Sequence, residues 1–369
     1  VGIIAARAIV PDSSEIRISF VGDLMCHTPQ LKAAENPDGT YNFDPVFKYV
    51  KPYLLESDFV VGNLETVTGG PGRRYSGYPL FNTPDSYLDA LKSSGFDLLV
   101  TANNHALDQG VKGLKRTIEK IKERGLQYSG TFRDLHDRDS VRIFEIKGKK
   151  FSILSYTYGI NGNYLPESES YVINQIDTLL IKKDIESAKM RGSEFVIVFV
   201  HWGIEYQRYA DKFQKNMGER IVSYGADLII GSHPHVLQPF SFIRKNKNKD
   251  SVFVAWSLGN FVSNQQWRYS DAGCILNLSL SPGKKEVIIL EEAEVVPTWV
   301  FKGNVESSFE YIIFPSVIAS QNFFPDYFTA SQRERLRESY FDFLELNKSN
   351  NFVKIIETTI QPIPFLYVF

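Results

Sequence analysis

Apolar positions recur along the chain with two alternating periods. Residues 16–21, 59–62, 97–101, 194–200 and 227–230 are short apolar runs of strand length, and 45–56, 87–93, 110–124, 177–191 and 213–224 read as helices between them. In 110–124 the helical phase is carried by Val111, Leu114, Ile118 and Ile121, and Gly125 stands where a C-terminal cap belongs. Residues 141–146 and 150–156 flank Lys147-Gly148-Lys149, which predicts a hairpin. Beyond residue 236 the pattern turns to strands alone, at 237–243, 252–257, 273–280 and 285–295, with polar 246–250 as a hairpin tip. Strand–helix alternation followed by a run of strands predicts an α/β fold: two packed mixed β-sheets flanked by helices, in four layers. From residue 299 the composition becomes aromatic and irregular apart from a helix over 331–346, in phase at Leu336, Tyr340, Phe343 and Leu344. The expected organisation is a main domain over 14–298 and a partly helical, aromatic-rich extension over 299–369 packed on it.

Bulk properties narrow the function classes. A chain of 369 residues can bury a large core. A formal net charge of −2 and the absence of basic tracts argue against a nucleic-acid partner. Two cysteines, Cys26 and Cys274, make neither a disulfide scaffold nor a CxxC metal knuckle, and read as two buried thiols or one bridge. No apolar run reaches the roughly 18–20 residues of a membrane helix. The short apolar segment 1–10 fits either the stub of a removed signal or anchor, or an edge strand.

The candidate chemistry gathers at strand ends. Of six histidines, His27, His105, His201, His233 and His235 fall at the C-terminal ends of predicted strands or just after them, whereas His136 sits in a charged loop. Asp23 ends the first strand, Glu65 follows the second, and Asn104 with His105 follows the third. The carboxyl ends of strands are where α/β folds bind ligands. Imidazoles, carboxylates and an amide oxygen together suit zinc, manganese or iron. Gly22, Gly62, Gly203 and Gly231 stand beside these positions and allow sharp turns. In His233-Pro234-His235 a loop twist would send the two imidazoles to neighbouring ions.

The series GDLMCH (22–27), GNLET (62–66), NNHALDQG (103–110), HWGIEY (201–206), GSHPHVLQP (231–239) and SLGNF (257–261) resembles the CapA family, over about residues 16–297 and in the family's order. CapA-like proteins are tied to poly-γ-glutamate capsule synthesis and to the calcineurin-like metallophosphoesterase superfamily. The resemblance implies a metallo-dependent phosphatase-like fold with two divalent metal ions. It implies Asp23 and His235 on one ion, Asn104, His201 and His233 on the other, and Glu65 in the place of a bridging Asp. His105 then resembles the histidine that contacts substrate and protonates a leaving group. Two departures stand out: Met25 occupies the place of the His in Asp-x-His, leaving His27, two residues on, as a substitute ligand, and Glu65 is one methylene longer than Asp.

The chemistry expected of such a centre is metal-dependent hydrolysis or transfer at a phosphoryl or amide-like group, with His105 as general acid. Asp108 would orient a histidine or simply place charge at the start of helix 110–124. Arg73 and Arg74, in a Gly-rich loop, would grip a phosphate or a poly-glutamate carboxylate, and Glu205 and Asn260 would line the cleft. Trp202, Tyr206, Tyr209 and Trp267 read as an aromatic rim or as core and scattered surface. The resemblance implies an anionic polymer or phosphoester substrate, membrane-bound capsule synthesis machinery as partner, and a cell-envelope setting outside the cytoplasmic membrane, tethered through a segment not in this chain. The alternative is a non-catalytic component that holds or guides the polymer, with a structural or vestigial metal site.

Overall fold

The computed structural model describes residues 14–245, 250–283 and 287–356. Calls on 1–10, on most of the tip at 246–250 and on the start of strand 285–295 lie outside the described residues. The strands are β1 (Ile16–Leu24), β2 (Phe59–Leu64), β3 (Leu98–Val100), β4 (Gln127–Ser129), β5 (Phe144–Ile146), β6 (Lys149–Thr157), β7 (Phe195–His201), β8 (Leu228–Ser232), β9 (Leu237–Arg244), β10 (Ser251–Leu258), β11 (Asn260–Val262), β12 (Ala272–Pro282), β13 (Ile288–Val305), β14 (Ser308–Pro315) and β15 (Val353–Ile355). The helices are α1 (Thr28–Ala34), α2 (Asp44–Phe47), α3 (Lys51–Leu55), α4 (Ser86–Ser93), α5 (Gly110–Glu123), α6 (Leu135–Asp139), α7 (Thr178–Met190), α8 (Lys212–Tyr224) and α9 (Ala330–Asn347).

One sheet has the order β14-β13-β12-β1-β2-β3-β4, with β11 beside β1 and β15 beside β13; the other has the order β5-β6-β7-β8-β10-β9. Strands β1 to β4 run parallel, and β12 turns the first sheet antiparallel. Strands β6, β7, β8 and β10 are parallel, with antiparallel β5 and β9 at the edges. Alternation along β7 explains the layering. Phe195, Ile197 and Phe199 join Ile18, Phe20 and Leu276 of the first sheet in a core between the sheets. Val196, Val198 and Val200 face outward onto Ile181 and Ile185 of α7 and Met217 and Ile221 of α8. Helices α1 to α5 cover the outer face of the first sheet through Leu31, Phe47, Leu54, Leu91 and Ile118. The result is the expected four-layer architecture of two mixed sheets flanked by helices.

Two local differences from the sequence pattern have simple causes. The stretch 45–56 forms two short helices, because Pro52 has no N–H and its ring conflicts with the carbonyl four residues back. The hairpin turn is only Lys147-Gly148, both at positive φ (47° and 76°), as a tight two-residue hairpin demands. Strand β13 runs on through Pro297 to Val305, so residue 298 lies inside a strand. Its far half and β14 pack with Phe328 and Leu336 in a separate aromatic cluster.

Candidate metal centre

The C-terminal ends of β1, β2, β7 and β8 converge on one buried cluster. Asp23, Glu65, His201, His233 and His235 are all buried. Close backbone approach makes this possible: a Cβ on Gly22 would lie 1.9 Å from the Gly259 carbonyl oxygen, and one on Gly231 2.0 Å from that of Trp256. These glycines thus serve packing, while Gly203, at φ 92°, serves the turn after β7. His233 (φ 96°) and His235 (φ 57°) both adopt left-handed backbone, which is the twist that separates their imidazoles.

Potential ligand atoms fall into overlapping groups whose members lie within 4.8 Å of one another: Asp23, Glu65 and His235; and Glu65, His201 and His233. Glu65 is common to both. Its Oε1 is 3.6 Å from His201 Nε2 and 3.8 Å from His235 Nε2. Neither Glu65 oxygen has a hydrogen-bond partner, although the side chain is 0% exposed. His233 Nδ1 is equally unpartnered. A buried carboxylate without donors is costly unless a cation sits beside it, so the donor set fits divalent metal.

Neighbouring polar groups hold the cluster. Asn63 Nδ2 donates to Asp23 Oδ1 (2.8 Å) and lies 3.2 Å from His201 Nδ1; Ser232 Oγ is 3.0 Å from the same nitrogen. His235 Nδ1 lies 3.1 Å from both Asp23 Oδ2 and Asn260 Oδ1. Asn104 Oδ1 is 2.7 Å from His201 Nε2. Burial and the neighbouring histidines hold the His201 and His233 imidazoles well below their ordinary range, in the neutral form a metal requires. Burial, then the charge of Asp23, pushes the Glu65 carboxyl well above its ordinary range.

His105 lies at the edge of the cluster. Its Nδ1 donates to Asp108 Oδ2 (2.7 Å), which also accepts the Phe81 N–H (2.8 Å). Nε2 is thereby left on the side of Asn161, 3.5 Å away. A cleft of about 360 Å³ opens there, lined by Met25, His27, Tyr78, His105, Glu205, Tyr206, His235, Asn264, Gln265 and Trp267.

The remaining sequence-derived residues divide. Glu205 borders the cleft, and Asn260 touches His235. Tyr206 and Trp267 form an edge-to-face pair on the cleft, whereas Trp202 is fully buried and Tyr209 is exposed. Arg73 and Arg74 are exposed and outside the cleft lining; Arg73 bonds Gln109, and the Asn82 amide holds both their carbonyls. His27 caps α1, with Nδ1 near Gln30 Oε1 (3.2 Å) and the Asn264 N–H (3.3 Å), and belongs to none of the ligand groups. Cys26 and Cys274 are buried free thiols.

Several contributors escaped the sequence reading: Asn63, Asn103, Ser232, Asn161 and Tyr158. Asn103 donates to the Leu64 carbonyl (2.7 Å), and the Tyr158 ring lies 4.4 Å from that of His233. The strand-end rule applied to β6 would have pointed to Tyr158 and Asn161.

Burial lowers the His27 imidazole to about 4. An imidazole that resists protonation when folded adds stability above its ordinary value of 6.5, and that share is lost as pH falls from 6.5 toward 4. In urea unfolding of the metal-free protein at pH 7 and pH 5, His27→Gln should lose less stability than wild type between the two. Equal losses would refute this assignment.

The family model for the bacterial capsule synthesis protein PGA_cap matches residues 17–265. The chain belongs to this family. All six motifs fall within the matched span, and the resemblance to CapA is borne out. The capsule biosynthesis protein CapA of Bacillus anthracis is 29% identical over 300 residues, covering 79% of this chain and 69% of the relative. The PGA biosynthesis protein CapA of Bacillus subtilis is 28% identical over 294 residues, covering 78% and 74%. Among solved structures, the NAD nucleotidase of Haemophilus influenzae aligns at TM-score 0.48 and 13% identity over 93% of this chain and 64% of its own. A 5'-nucleotidase precursor of Thermus thermophilus aligns at TM-score 0.44 and 11% identity over 90% and 58%. The chain spans less than two thirds of either structure.

Proposed function

We propose that this member of the family is a metal-dependent hydrolase or transferase that acts on a phosphoryl or amide-type bond of an anionic cell-envelope polymer, poly-γ-glutamate or a relative of it. The observation that carries the reading is Glu65: a fully buried carboxylate with no hydrogen-bond donor, shared by two groups of metal-type ligands. Asp23, Glu65 and His235 would hold one divalent ion, and Glu65, His201, His233 and Asn104 the other. When bound, such ions activate water near neutral pH and neutralise charge that develops on the substrate.

The chain's own residues supply the rest. Asn63 and Ser232 orient His201, and Asn260 orients His235, through the distances given above. Asp108 fixes His105 with Nδ1 donating, so Nε2 is the nitrogen that can pass a proton to a leaving group in the cleft. The partners implied by the family are the polymer and the envelope machinery that makes it. Among the described residues no helix is long and apolar enough to cross a membrane.

The test is turnover of a nitrophenyl phosphodiester and of a γ-glutamyl amide by the purified protein with manganese or zinc. Chelator-sensitive hydrolysis of either is the expected result. Tight metal binding with no turnover of either substrate would overturn the catalytic reading in favour of a polymer-holding role.

A further inference from the structure

The cluster has a third group of ligand atoms within 4.8 Å of one another: Glu205, His233 and His235. Glu205 differs from the other members. It is exposed and borders the cleft, whereas both histidines are buried. The main chain that carries it is held in place beside the two histidines. Trp202 N donates to Ser232 O (3.0 Å) and Tyr206 N donates to Pro234 O (2.7 Å), so the turn carrying Glu205 is stitched on both sides to His233-Pro234-His235. Gly203 and Tyr206, both at positive φ (92° and 66°), bend the chain back to make those two bonds. His233, whose Nδ1 is buried and unpartnered, belongs both to this group and to the group of Glu65 and His201, so Glu205 stands at the margin of the same centre.

We propose that Glu205 is a displaceable metal ligand, which closes the cleft side of the metal centre and gives way to an anionic group of the substrate. The inference rests on the metal reading above. No Lys or Arg is among the residues that line the cleft, and Lys302 behind its wall is tied to the Gln265 carbonyl, so an entering anion would meet its first positive charge at the metal centre. A carboxylate on the cleft side competes for the same position. It therefore raises metal retention and lowers affinity for anions, and it selects for substrates that bring a strong oxyanion.

The experiment compares wild type with Glu205→Gln and Glu205→Asp by calorimetric titration with zinc, by the absorption spectrum of the cobalt(II)-loaded protein, and by binding of inorganic phosphate to the metal-loaded protein. Glu205→Gln should weaken metal binding about 10-fold or more, change the cobalt spectrum and tighten phosphate binding, with Glu205→Asp intermediate. Since Glu205 is exposed, the fold should tolerate both changes. Zinc affinity, cobalt spectrum and phosphate affinity all at wild-type values in Glu205→Gln would overturn the proposal while leaving the metal reading intact. A wild-type protein that binds neither zinc nor cobalt would overturn both, and so is distinguishable.

Discussion

Glu65→Gln should abolish the stabilisation of the protein by divalent cations, yet leave the cation-free protein at least as stable as wild type. The two halves of this result have one cause. Glu65 is 0% exposed, and no donor reaches either oxygen. Without a cation, burying that acid is a cost with no return, and the carboxyl responds by holding its proton well above the ordinary range. A raised acid stabilises the folded state below its ordinary value near 4.5, and that share fades as pH rises toward the folded value. Glutamine removes this penalty near neutral pH. With a cation present the balance reverses, because binding at 100 times Kd adds about 2.7 kcal/mol. Changes even to groups behind metal ligands cost about 10- to 100-fold in affinity, and removal of a carboxylate common to both groups should cost at least the upper figure. Thermal melts with and without manganese read this directly. Wild type should melt several degrees higher with the ion, and the variant should not move. An equal manganese shift in both proteins would mean that Glu65 does not face the ion.

The second large effect concerns His105. His105→Ala should lower turnover by about 100- to 10,000-fold, the range for loss of a positioned general acid, with metal content unchanged. The separation follows from geometry. His105 is in none of the groups of ligand atoms, but it borders the cleft beside them. Asp108→Asn should give a smaller loss of the same kind. Asp108 Oδ2 accepts from both His105 Nδ1 and the Phe81 N–H, and an amide in its place holds the imidazole less firmly. Metal analysis alongside kinetics is the check. Loss of metal in His105→Ala would move this residue into the ligand set, and unchanged turnover would remove it from the mechanism.

Much of this centre was legible because strand ends are legible. Apolar runs mark β1, β2, β7 and β8, and the residues that follow them are of ligand type, so Asp23, Glu65, His201, His233 and His235 could be picked out together. The supporting amides were not. Asn63 and Asn103 are turn-forming residue types, and nothing in their spacing separates a buried clamp from an ordinary loop residue. Arg73 and Arg74 show the opposite problem. Charge in a Gly-rich loop attracts attention, but the Asn82 amide curls that loop back on itself, away from the cleft. The C-terminal strands were also hidden. The aromatic, irregular composition from residue 299 carries no strand pattern, yet β13 runs on to Val305, paired with β12 as far as Trp299 and with β14 from Thr298 onward. Short α1 gave no helical period long enough to see.

The outer wall of the cleft, residues 264–271, is tied to the main domain through Asn260, His27 and Tyr206, and on its other side to the C-terminal segment. Tyr311 Oη donates to Asn264, Lys302 Nζ to the Gln265 carbonyl, and Trp299 Nε1 to Asp271. Arg335 and Asp342, on α9, pair with Asp271 and Arg268. The strand-end cluster and the wall opposite it thus share Asn260, which touches His235 as well as Gln265 and Ser270, but otherwise draw support from different parts of the polypeptide. A change at Trp299, Lys302 or Tyr311 would therefore be felt first at the mouth of the cleft, before it reached the strand ends that hold Asp23, Glu65, His201, His233 and His235.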